Sequence, residues 1–313
     1  RVSLDESRVS IKFADTYSVA PVANISVHLE TLARELQNPY ITSVEYEKKL
    51  ATFIKYGGKI IPRTLLEQVD HYGVMTKEMF KNGEIEDFDV IHAHDWLCYP
   101  AGIVAKEMSG KPFIVHVHAT EFDRCGGNSV NQQVYDRERR GMHAADHVIA
   151  VSELTRKIII DKYGVDPTKV SVVHNGNSDA PKNPKSRFKD LYKLRQNGHK
   201  TVLFAGRITI QKGVDYFIHA AKKVLDYEKN VAFIVAGSGD MENRIKGLAH
   251  HLGIYDKFVF TGYYKLDEQS DLFAAADVVV MPSVSEPFGI IPLESMSNGT
   301  PVIMSKQSGV SEV

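Results

Sequence analysis

Cysteine is scarce: Cys98 and Cys125 are the only two in 313 residues. Two thiols do not make a disulfide framework in a chain this long, so free cysteines in a reducing cytosol are expected. No apolar run is long enough to span a bilayer. The opening Arg1-Val2-Ser3-Leu4-Asp5-Glu6 lacks the apolar centre of a signal peptide, which points to a cytoplasmic protein. Charge of one sign is also missing. Lys plus Arg is 38 and Asp plus Glu is 39, for a formal net charge of -1. That balance argues against a general nucleic-acid surface, and any anion must be held by a few placed groups. What remains, 43% hydrophobic and 25% charged residues, has the makeup of a globular protein with material for two cores.

Short β-branched runs alternate with helix-period segments, as in a parallel sheet with crossover helices. The first half has strand candidates at 9–14, 89–94, 112–119, 147–152 and 170–176. The second half has them at 201–205, 231–236, 257–261, 277–282 and 301–305. Ile25, Leu29, Leu32 and Leu36 share a helical face, as do Leu154, Ile158 and Ile159. Val214, Phe217, Ile218, Ala221, Val224 and Leu225 predict a strong amphipathic helix, and Met241, Ile245, Leu248 and Leu252 another. The segment 178–198 is polar and has no strand pattern. The expected organisation is a first α/β domain over 1–178, a linker over 179–198 and a second over 199–313. Residues 37–85 are the least readable. The chain stops at Val313 shortly after a strand, so the second domain reads as short of its last crossover helix.

Three strand-to-helix loops carry the chemistry. In Met281-Pro282-Ser283-Val284-Ser285-Glu286-Pro287-Phe288-Gly289-Ile290-Ile291-Pro292-Leu293-Glu294 a helix begins near Pro292. Free amides at such a start suit phosphate or sugar oxygens. Glu286 in the loop and Glu294 in the first turn can accept bonds from sugar hydroxyls; singly, each is an ordinary loop or first-turn acid. In Gly206-Arg207-Ile208-Thr209-Ile210-Gln211-Lys212-Gly213 two cations five residues apart can converge on a diphosphate. Gly237-Ser238-Gly239 lacks the third glycine of a dinucleotide fingerprint, and a plain tight turn fits it nearly as well.

Histidines end two strands, His92 and His94 one, His116 and His118 the next, each pair on one face by alternation. Four imidazoles can bind zinc, but the first-half strands offer few nearby carboxylates besides Asp95, Glu121 and Asp123. Buried histidines at strand ends are expected for His92 and His116, with His118 and Asp95 nearer the substrate.

These motifs, in this order and spacing, resemble those of the family 4 retaining glycosyltransferases, whose cousins include bacterial glycogen and starch synthases. His92-Ala93-His94-Asp95-Trp96, Val117-His118-Ala119-Thr120-Glu121-Phe122, the run from Ala145 to Ser152, and Val173-His174-Asn175-Gly176 match the first-domain motifs. The resemblance covers roughly residues 87–313. It implies a GT-B fold, two Rossmann-like doubly wound parallel-sheet domains facing a cleft. By position, Arg207 and Lys212 would hold a donor diphosphate, near Gly206 and Gly237. Glu294 would bind the ribose, and Phe288, Gly289 and Ile290 would offer amides. Tyr263 would border the nucleobase, Glu286 would contact the sugar hydroxyls, and His118 would lie beside the sugar, with Asp95 on the acceptor side. One departure stands out: the residues from Ser18 to Ser26, where the family usually has a glycine-rich loop, contain no glycine.

The expected activity is transfer of a hexose, glucose by preference, from a donor such as UDP- or ADP-glucose to a hydroxyl acceptor, with retained configuration and no essential metal. The other readings are a sugar-nucleotide epimerase or hydrolase on the same scaffold, a metal-dependent hydrolase built on the paired histidines, and a non-catalytic nucleotide-sugar-binding protein.

Overall fold

The strands form where β-branched residues run together, and they pair in parallel because helices separate them in sequence. The computed structural model describes residues 64–127, 129–177 and 186–313. The strand and helix expected within 9–36, and the glycine-poor loop at 18–26, lie outside those residues.

The first described part runs α1 (Leu65–Lys81), β1 (Ile91–His94), α2 (Tyr99–Ser109), β2 (Phe113–Val117), α3 (Glu121–Arg124), α4 (Gln132–Ala144), β3 (His147–Ala150), α5 (Glu153–Tyr163) and β4 (Val170–Val172). Its four strands lie in the order β1-β2-β3-β4, all parallel. Phe113, Val115 and Val117 of β2 point into a core shared with Tyr99, Met142, Ile159 and Tyr163. Leu65 and Leu66 of α1 pack against the same core, although the surrounding sequence shows little periodicity.

The second part continues with a 3-10 turn (Arg187–Leu191), α6 (Tyr192–Gln196), β5 (Lys200–Ala205), a second 3-10 turn (Ile210–Lys212), α7 (Val214–Tyr227), β6 (Val231–Ala236), α8 (Glu242–His251), β7 (Phe258–Gly262), α9 (Gln269–Ala274), β8 (Val278–Met281), α10 (Ile291–Ser297) and β9 (Val302–Met304), with a last turn at Gly309–Glu312. The five strands are parallel in the order β7-β6-β5-β8-β9. All six residues of β6 are buried, as both faces of a central parallel strand must be. Helix α7 buries Val214, Phe217, Ile218, Ala221 and Leu225. Burying one such side chain contributes about 1.5–3 kcal/mol, so α7 is held by packing more than by propensity. Val224, expected on the same face, is instead exposed at the edge of the stripe.

The polar stretch expected to be linker is helical over its second half. Phe188 and Leu191 are buried with Leu203, Ile234, Leu272 and Phe273. Two apolar anchors among lysines and arginines are too few for a periodic signal, yet enough to dock one turn. Cys98 and Cys125 are both free. Among the described residues no helix is long and apolar enough to cross a membrane.

Candidate functional site

Loops at the carboxyl ends of both sheets line one cavity of about 260 Å³, formed by His118, Asn175, Lys212, Met281, Glu286, Phe288, Gly289, Ile290 and Ile291. His118 follows β2, Asn175 follows β4 and Lys212 follows β5; Met281 ends β8 and the other residues follow it. Parallel strands send their carboxyl ends to one edge, so residues far apart in sequence meet there.

The centre of the site is a charged pair. Lys212 Nζ donates to Glu286 Oε2 at 2.5 Å, and the two side chains are only 14% and 7% exposed. Ser283 Oγ donates to the same oxygen at 3.1 Å. The Glu286 backbone is fixed as well: its amide donates to the Gln307 carbonyl and its carbonyl accepts from the Gly309 amide. With two donors on one carboxylate oxygen and two bonds on its backbone, Glu286 is oriented before any ligand arrives. Gly289 makes this arrangement fit. Its φ is +86°, and a Cβ there would lie 2.7 Å from Glu286 Cγ. Behind the pair, the loops after β5 and β6 touch. A Cβ on Gly237, at φ +143°, would lie 1.8 Å from the Gly206 carbonyl oxygen. Gly237 thus gives the two loops close backbone approach at Gly206.

The two halves are joined beside the cavity. Ser285 Oγ donates to Asp123 Oδ1 at 2.7 Å, and Ser152 Oγ donates to the Pro287 carbonyl at 2.5 Å. The Ser152 hydroxyl also accepts from the Thr155 amide, so one residue caps α5 and grips the Glu286 loop. Val151, Met281, Phe288 and Val310 make a small apolar cluster at the same junction. The Glu312 carboxylate accepts from the Glu153 and Leu154 amides at the start of α5 and pairs with His174 Nε2 at 3.0 Å.

Of the residues singled out from sequence, His118, Lys212, Glu286, Phe288, Gly289 and Ile290 line the cavity. Arg207, Tyr263 and Glu294 are not among its lining residues. Arg207 is exposed, and Tyr263 is 68% exposed. Glu294 is buried on α10, where desolvation raises its carboxyl above the usual range against a bond from Gln269. Asp95, at φ +58°, does not project to solvent: its Oδ1 accepts from the His118 amide at 2.7 Å. It therefore sets the backbone that carries His118. Asn175 and Met281 were not singled out, though both lie in segments that were. Nothing in their spacing distinguishes them, because their access to the cavity depends on where the two sheets meet.

The histidines depart from expectation. His92 and His94 are exposed and His116 is half-buried, so His92 and His116 are not core residues. Alternation does hold, and all four rings lie on one face. His94 Nδ1 and His118 Nε2 are 2.9 Å apart, one donating to the other.

Two parallel α/β sheets whose carboxyl edges share a cavity define the GT-B glycosyltransferase architecture. The sequence profile of Glycosyltransferase Family 4 matches residues 25–178, and that of Glycosyl transferases group 1 matches residues 187–313. An uncharacterized glycosyltransferase of Methanocaldococcus jannaschii is 32% identical over 318 residues, covering 93% of this chain and 79% of the relative. The chain belongs to this glycosyltransferase family. Glycogen synthase of Mycobacterium tuberculosis is 28% identical over 227 residues, 72% of this chain, and the chain spans about half of it (53%). The crystal structure of Anabaena HepE in complex with UDP and glucose superposes with a TM-score of 0.63 at 19% identity, covering 91% of this chain and 78% of HepE. At that identity it speaks for the fold alone.

Proposed function

We propose that this glycosyltransferase moves a hexose from a nucleoside-diphosphate sugar to an acceptor hydroxyl with retention of configuration and without an essential metal. The observation that carries this reading is the cavity where Lys212 and Glu286 of the second sheet face His118 of the first. A leaving diphosphate gains negative charge as its bond to the anomeric carbon breaks. Lys212, Arg207 and the amides of Phe288, Gly289 and Ile290 supply the opposing field, the role a divalent cation has in other transferases. Glu294, on α10, serves the donor ribose, and Tyr263 borders the base.

Lys212 is already paired with Glu286. Donor binding therefore asks the ammonium to share itself between a phosphate oxygen and the carboxylate. Glu286 then accepts from hydroxyls of the transferred sugar. In the reaction the bond between the anomeric carbon and the phosphate oxygen breaks. The bond to the acceptor oxygen forms on the same face, and the acceptor proton passes to the leaving phosphate. His118 stands beside the sugar on the first-domain side. That HepE was crystallised with UDP and glucose supports a nucleotide-sugar donor, and the likeness to a glycogen synthase supports glucose and a glucan among the acceptors to be tried first.

The test is a panel of nucleotide sugars, UDP- and ADP-glucose first, scored for nucleoside-diphosphate release with and without glucan acceptors. Release stimulated by an acceptor, with the product linkage retained by NMR, is the expected result. No release from any donor would refute the reading.

A further inference from the structure

The face of the first sheet that carries His118 holds more imidazole than sugar transfer uses. His94 and His116 are register partners across β1 and β2. With His92 and His118 they form a ladder whose ring centroids are 4.4 Å apart for His92–His94, 5.5 Å for His92–His116, 5.2 Å for His94–His116 and 4.3 Å for His116–His118. One ligand nitrogen each from His92, His94 and His116 lies within 4.8 Å of the others. Both ring nitrogens of His116 are sealed from solvent and have no hydrogen-bond partner. Such an orphaned polar group calls for an explanation, and a bound ion is one.

We infer that His92, His94 and His116 form a site for a divalent transition metal of the zinc and cobalt class, with His118 as its outer hydrogen-bond partner. Three neutral nitrogens suit such ions far better than magnesium or calcium, which prefer oxygen. Asp95, next to His94 in sequence, is committed to the His118 and Ala119 amides. Tetrahedral ligands around zinc stand ~3.3 Å apart, so the exposed His92 ring, stacked on His116 at an interplanar angle of 2°, must turn its nitrogen toward the other two to close the set.

The remaining imidazole falls where a metal site needs it. A ligating histidine has its other nitrogen fixed by a hydrogen bond, which sets tautomer and ring angle. His94 Nδ1 has that bond, to His118 Nε2. With metal on His94 Nε2, Nδ1 must carry the proton and His118 must accept it. The metal thus fixes which ring carries the proton of a His94–His118 bond that is made without it as well. Chelation leaves transfer intact, since the reaction needs nothing from this ion.

The test uses cobalt(II) as the probe, in equilibrium dialysis and visible absorption of the full chain, with zinc as competitor. The result expected is one cobalt per chain with the ligand-field bands of a four- or five-coordinate nitrogen site, displaced by zinc. His92→Ala and His116→Ala, checked for native circular dichroism, should each bind at least about tenfold more weakly, and His118→Gln roughly 10–100-fold. Absence of cobalt uptake by the wild type would overturn the inference. So would uptake undiminished in both His92→Ala and His116→Ala, which would put the ion on other histidines. None of these readouts depends on the donor assignment.

Discussion

Replacing Lys212 by Met keeps the aliphatic stem and removes the charge. The Glu286 carboxylate, 7% exposed, then loses its 2.5 Å partner and, among the described residues, keeps the Ser283 hydroxyl as its side-chain donor. Breaking a fully buried pair by deleting one partner costs about 3–5 kcal/mol. Here the pair borders a cavity of about 260 Å³, well above the ~10–15 Å³ that one water needs. Water can reach the stranded carboxylate, so the expected loss is nearer ~2 kcal/mol. At ~2.1 cal/mol/K per residue over 313 residues, that corresponds to a fall in Tm of about 3 °C. Loss of transition-state charge stabilisation is a separate effect, about 2–4 kcal/mol, or roughly 30- to 1000-fold in turnover. The double variant Lys212→Met/Glu286→Leu separates the two. An apolar pair of similar volume is often neutral or stabilising, so Tm should return close to wild type while turnover stays lost. Differential scanning fluorimetry and diphosphate release measure both on one preparation. A single variant with wild-type Tm and turnover would refute the role of the pair, and an active double variant would refute the site.

Glu286→Gln keeps shape and removes charge. If the carboxylate holds sugar hydroxyls, donor binding persists and turnover falls partially. Mass spectrometry of quenched wild type should then find no hexose on Glu286, and finding one would replace the mechanism with a covalent one. Turnover should survive EDTA, and complete loss restored by zinc would instead favour the metal-dependent hydrolase. The Glu312 carboxyl supplies a pH dependence. Burial acts to raise it, but the Glu153 amide, His174 and the Leu154 amide outweigh this and hold it below its usual range. A depressed carboxyl adds stability that is present above the unfolded value, ~4.3, and lost as pH falls through the folded value. Urea midpoints of wild type should therefore converge on those of Glu312→Gln as pH drops, and a constant gap would contradict the assignment.

Periodicity in the sequence located the strands of the described parts and some of their helices, but not α1, whose segment shows little of it. Alternating or continuous apolar runs found β1 to β9 within a few residues, and the Phe217 and Ile245 stripes found α7 and α8. These signals are local, because backbone period and burial of one face are written into neighbouring residues. The loops after β5 and β8 were legible for the same reason: glycine and proline mark turns, and the charged residues in them stood out as a group although each alone is an ordinary turn residue. Where one turn rests on two anchors, as at Phe188 and Leu191, the period is too short to read. Tertiary structure alone decided that Lys212 closes on Glu286, 74 positions away, and that His118 and Asn175 come from another sheet to face them. It also decided that His94 sits opposite His116 rather than one step along, which brings three nitrogens within 4.8 Å. Strand register and sheet order arise from packing over the whole chain, and the spacing of residues within a segment carries no record of either.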